Sequence, residues 1–165
     1  MGYLFKRYIA PIVLILSLLP QAKAGGLVAG DFSYTCTNPA INAYRFDLVV
    51  YADCQSTGNL PSNVLMDYES SCLNADLNLA LIDSSFVIQP CSSSSSCCQN
   101  PGAGCLFAVK SYHYRGSINN LPACSDWVFS AMVCCRSQSL TNSVSPGNYE
   151  LFLESTLDNT LPLNN

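Results

Sequence analysis

A chain of 165 residues is long enough for one domain with its own core, and at 49% hydrophobic and 11% charged it is too apolar to be disordered. Ten cysteines, nine prolines and nine glycines, with many Ser and Asn, favour a turn-rich β protein over a helical one. Beyond residue 24 the chain carries four Lys+Arg against eleven Asp+Glu, a balance of −7, which argues against nucleic acid and anionic membrane as partners.

Residues 1–24 read as an export signal. Lys6 and Arg7 form the basic start, Ile9–Leu19 the apolar run, and Ala22-Lys23-Ala24 the small-x-small cleavage site. The run is shorter than the roughly 20 residues a spanning helix needs, so no membrane insertion is expected after cleavage. Residues 25–160 are expected to form one cysteine-rich domain, and 161–165 the start of a linker or a truncated C-terminus.

The predicted strands follow in order. Leu27–Cys36 alternates, with Phe32, Tyr34 and Cys36 on one side. Asn38-Pro39 turns the chain into Tyr44–Tyr51, where Tyr44, Phe46, Leu48 and Val50 share one face and Arg45, Asp47, Val49 and Tyr51 the other; the two segments read as an antiparallel hairpin. Val64–Tyr68 is a short strand. Leu77–Ile82 alternates, although its Leu/Ala content also suits a helical turn, and Phe86–Ile88 is a short apolar segment. Cys91–Cys105, with Ser92–Ser96 and Asn100-Pro101-Gly102, is a loop to be stapled by its cysteines. Leu106–Arg115 is a long strand with His113 and Phe107 on one side and Tyr112 and Tyr114 on the other. Trp127–Cys135 is the most apolar strand, and Tyr149–Ser155 follows the turn Pro146-Gly147. Seven or eight short strands at even spacing imply an all-β fold, a disulfide-stapled, immunoglobulin-like antiparallel β-sandwich.

Export places the cysteines in an oxidising compartment, where bridges are the default. The disulfide candidates are Cys36, Cys54, Cys72, Cys91, Cys97, Cys98, Cys105, Cys124, Cys134 and Cys135, with connectivity open. Adjacent strand residues point to opposite faces, so Cys134 and Cys135 are expected to reach different partners, among them the strand tips at Cys36 and Cys54. No C-x-x-C pair occurs and His113 is the sole histidine, so neither metal nor cofactor is expected. No G-x-S-x-G elbow is present, and His113 reads as a partly exposed strand residue rather than a base. Asp67/Glu69 and Glu150/Glu154 each share a strand face and read as solvated surface. Trp127 is the expected core anchor. Tyr112 and Tyr114 are possible ligand contacts, a platform on which a sugar ring would stack.

Gly30-Asp31-Phe32-Ser33-Tyr34-Thr35-Cys36, then Tyr44-Arg45-Phe46 and Tyr51-Ala52-Asp53-Cys54, resemble the opening of the N-terminal domain of secreted Bacteroidetes gliding-motility-associated, adhesin-like multidomain surface proteins. A second match runs through Tyr114-Arg115-Gly116, Leu121-Pro122, Asp126-Trp127-Val128-Phe129-Ser130, Cys134-Cys135-Arg136 and Thr141-Asn142. Ala52 stands where the family usually has arginine, Ser137 where asparagine is common, and the Cys91–Cys105 loop has no counterpart. The resemblance implies a module of a larger cell-surface protein, continuing into immunoglobulin-like or PKD-like repeats and a sorting domain for type IX secretion. The expected function is therefore non-catalytic: adhesion or contact with other surface proteins or glycans. The alternatives are a carbohydrate-binding module and, third, a small hydrolase using His113.

Overall fold

The computed structural model describes residues 26–54, 60–87, 98, 108–137 and 149–161. The export signal, most of the Cys91–Cys105 loop, Pro146-Gly147, Thr141-Asn142 and residues 162–165 lie outside them.

The described residues form seven strands: β1 (Leu27–Asn38), β2 (Ala43–Asp53), β3 (Asn63–Glu69), β4 (Asn74–Phe86), β5 (Val109–Ile118), β6 (Trp127–Val133) and β7 (Leu151–Leu157). A single 3-10 turn, Pro39–Ile41, joins the first two; the Asn38 side chain caps it by accepting from the Ala40 amide at 3.0 Å, and Asn42 leaves it with φ of 46°. Asn suits both positions, because its short side chain caps backbone amides and tolerates the left-handed region.

All neighbours pair antiparallel, in the order β1-β2-β5-β4-β3-β6-β7. The all-β, antiparallel, disulfide-bonded character expected from the sequence is present. The strands belong to one continuous sheet, where an immunoglobulin-like sandwich has two. The sheet curls until β1 packs against β7. At this seam the Tyr34 hydroxyl donates to the Thr156 carbonyl at 3.0 Å. Gly30 is needed here, because a Cβ on it would lie 2.8 Å from methyl groups of both Leu151 and Leu153. Lower down, the Leu27 amide donates to Cys135 O at 3.1 Å and the Ser137 amide to Leu27 O at 2.8 Å.

Strand alternation sets what lies inside. On β2, Tyr44, Phe46, Leu48, Val50 and Ala52 are buried and the residues between them only partly so. Trp127, Phe129, Ala131 and Val133 of β6 face them across the interior. The Phe46 and Phe129 rings meet at 4.6 Å, and Phe129 continues to Trp127 at 6.0 Å. Trp127 is the core anchor expected of it: it is fully buried, and its indole N–H donates to the Pro122 carbonyl at 3.1 Å.

Strand β4 runs on where the sequence suggested a break. Asp83-Ser84-Ser85, which lie between the expected segments Leu77–Ile82 and Phe86–Ile88, pair with His113, Tyr112 and Ser111 of β5 after a register shift between Leu81 and Asp83. The shift carries the chain past Ile82, and a hydroxyl bond of 3.0 Å between Ser85 and Ser111 links the strands beyond it. The segments at Leu77–Ile82 and Phe86 are thus parts of one strand.

Two substitutions test this packing. Phe129→Ala removes the ring that touches both Phe46 and Trp127 and is expected to cost about 3–5 kcal/mol. Gly116→Val puts a Cβ 2.7 Å from Leu79 and 2.8 Å from Leu77, and is expected to cost about 1–3 kcal/mol. Urea unfolding with the disulfides intact reads both values.

Candidate functional site

Cysteine placement departs from expectation. Cys54 bonds Cys98, Cys72 bonds Cys124, and Cys134 bonds its neighbour Cys135. The expected split of Cys134 and Cys135 between different partners is corrected: they partner each other. Cys36 could not have served either of them. It stands at the far end of β1 from Leu27, the residue that Cys135 touches, and it carries a free thiol. Cys91, Cys97 and Cys105 lie outside the described residues. The Cys72–Cys124 bridge pins the β3–β4 turn to the β6 entry, and Asp126 doubles the tie by accepting from the Ser71 amide at 3.0 Å and its hydroxyl at 3.1 Å.

The tyrosine platform also needs correction. Tyr112 and Tyr114 alternate onto the inner face of β5. Tyr114 is fully buried and donates its hydroxyl to Pro61 O at 2.9 Å. Burial first, and then the neighbouring Tyr112, push its pKa up to about 12. Tyr112 packs against the core with the Lys110 ammonium 5.0 Å from its ring centre. Neither Tyr114 nor Trp127 has a ring face open to a sugar.

The surface chemistry lies on the outer faces of two strand groups. On β2 and β5, Asp47 collects three donors: Arg115 Nε at 2.7 Å and His113 Nε2 at 2.8 Å on Oδ1, and Arg45 Nε at 3.1 Å on Oδ2. The cause is register. Asp47 lies opposite Arg115, with Arg45 and His113 one outward-facing position away on β2 and β5 respectively. Burial raises the Asp47 carboxyl pKa, but the hydrogen bonds from Arg115, His113 and Arg45 and the Arg115 charge outweigh it, so the group is held below its ordinary range. Val49 and Tyr51 continue the same face. His113 is half-buried in this ion-paired cluster, and among the described residues no serine hydroxyl bonds it.

The second face belongs to β4, β3, β6 and β7. Asp76 pairs with Asp67, Asp67 with Ser130, and Ser130 with Glu154, so three carboxylates lie in one cross-strand row. Two residues along each strand, Leu65, Met132 and Phe152 form an apolar row at 47%, 55% and 53% exposure. Among the described residues no cation pairs with the three acids. Each strand alone hinted at these residues: Arg45 and Asp47 share a face by alternation, as do Asp67 and Leu65. Their union with Arg115, or with Glu154 and Phe152, needs the strand order. Among the described residues no group of His, Cys, Asp and Glu is arranged to hold a metal ion, and no helix is long and apolar enough to cross a membrane.

No family model, curated protein or solved structure matches this chain.

Asp47 makes a pH-dependent contribution of definite sign. Its carboxyl is depressed in the fold, so the stabilisation is present above the unfolded value of about 3.9 and is lost as pH falls through the lower folded value. Asp47→Asn is expected to cost about 1–3 kcal/mol at neutral pH, and to flatten the acid limb of the stability curve. Urea midpoints measured from neutral pH down to about pH 3 show both effects.

Proposed function

We propose that this chain is a non-catalytic exported module that works by protein–protein contact at the bacterial cell surface, as part of a larger adhesin-like protein. The exposed row Leu65–Met132–Phe152 carries the proposal. Three large apolar side chains in adjacent register, on strands that already have a buried opposite face, gain nothing from folding. A contiguous exposed patch rimmed by charge is what a docking surface presents. The disulfides fit an oxidising compartment outside the cytoplasm, in keeping with the export signal. The Asp-Trp and Cys-Cys-Arg motifs support the Bacteroidetes assignment.

Binding of the labelled, disulfide-bonded protein to the surface of producing cells tests the function. Met132→Asp and Phe152→Asp are expected to weaken binding at least about tenfold, with unfolding midpoints unchanged. Undiminished binding by both variants would exclude this face as the contact.

A further inference from the structure

We infer, on the footing of the contact function proposed above, that the partner of the Leu65–Met132–Phe152 face is a basic protein surface. It lays Lys or Arg side chains across the apolar row, so that their charges meet the carboxylates beside it.

The row is framed by acids. Asp76, Asp67 and Glu154 form the cross-strand row on one side, and Glu69 stands exposed two residues beyond Asp67. On the other side Glu150 is exposed, two residues before Phe152. These five are nearly half of the eleven carboxylates in the chain.

No cation of this chain answers them. Beyond residue 24 it has Arg45, Lys110, Arg115 and Arg136. Arg45 and Arg115 are bonded to Asp47, Lys110 lies over the Phe86 and Tyr112 rings, and Arg136 forms no ion pair among the described residues. Asp67 also faces Asp76 directly across the ladder, a like-charge pairing that costs stability until a cation shields it. A second copy offers no matching surface. Exposed Asp31, opposite Val49, and exposed Asp83, opposite His113, flank its Arg45 and Arg115. An anionic membrane is repelled by the same carboxylates. The occupant has to bring positive charge of its own.

The spacing shows how that charge is carried. Neighbouring strands lie about 4.8 Å apart, so Leu65, Met132 and Phe152 make a line about 10 Å long. The row through Asp67 and Glu154 runs beside it at a two-residue step, about 7 Å away. Lys and Arg suit such a pair of rows, because their apolar stems pack on exposed hydrocarbon while the charged heads reach past it. Stems laid over Met132 and Phe152 carry their heads to Asp67 and Glu154, and the half-exposed Phe152 ring itself attracts a cation. An uncharged apolar partner would strip water from the carboxylates and return nothing.

The test moves the site of charge removal while holding net charge constant, in the disulfide-bonded exported chain. Asp67→Asn/Glu154→Gln neutralises the face, and Asp31→Asn/Asp83→Asn removes two charges elsewhere. None of these four acids has an ion-pair partner among the described residues, so both variants are expected to keep the wild-type urea midpoint or exceed it. Binding of the wild type to producing cells is expected to weaken at least about tenfold as salt rises from about 0.05 M to about 0.5 M. At the lower salt the face variant is expected to bind at least about tenfold more weakly than wild type and to lose most of the salt dependence, while the control stays within about twofold. Cells stripped of surface protein by protease are expected to lose the binding. Wild-type binding by the face variant, equal weakening by the control, or full binding to stripped cells would overturn the inference. If Met132→Asp and Phe152→Asp lose cell binding while the face variant keeps it, the basic partner is refuted and the contact function stands. If Met132→Asp and Phe152→Asp both bind cells normally, the contact function itself falls.

Discussion

Seven strands that alternate in direction leave the two edges of a sheet pointing the same way. An antiparallel ladder cannot join such edges, and among the described residues β1 and β7 form no ladder with each other. Closure here comes from side chains and from one short segment. Leu151 and Leu153 of β7 fill the space that Gly30 leaves on β1, and Tyr34 reaches across to Thr156. At the lower end, the segment after β6 supplies the hydrogen bonds that β7 does not: Leu27 bonds Cys135 and Ser137, forming an isolated parallel bridge with Arg136. The linked cysteines Cys134 and Cys135 lie between β6 and that bridge. The rest of the molecule depends on this closure. With the seam made, β2 and β6 face each other across the interior and the aromatic contacts of Phe46, Phe129 and Trp127 have a wet side nowhere.

The same closure sorts the surface. A curled sheet has one inner face, so every strand must give its large apolar residues to it, and most do. Leu65, Met132 and Phe152 are exceptions on the outside, and they coincide with a row of carboxylates that no described cation neutralises. The Asp47 cluster is the opposite case. There, half of the cations beyond residue 24 gather on one carboxylate, with the histidine as third donor. One side is electrostatically incomplete and the other has arginine nitrogens to spare. The Asp47 cluster stabilises the fold, whereas the exposed apolar row and the carboxylates beside it do not.

The sequence by itself determined the all-β class, the inward set on β2, the burial of Trp127 and the strands around them. These follow from local alternation, because a two-residue period is written in neighbouring residues. It also identified Cys54, Cys72, Cys98, Cys124, Cys134 and Cys135 as bridge-forming residues, but not Cys36 as a free thiol. It divided β4 into Leu77–Ile82 and Phe86–Ile88; pairing with β5 carries the strand through Asp83-Ser84-Ser85 to Phe86. The tertiary structure alone decided the strand order, the single curled sheet, the disulfide partners and both surface patches. Asp47 and Arg115 are separated by 68 positions, and Asp67 and Glu154 meet only through Ser130 of an intervening strand. The period-two pattern tells which way a side chain points; it carries no record of which strand lies beside it. That is set by how the whole sheet buries its inner face, and so the same residues that looked like isolated surface charges became a site only when the chain closed.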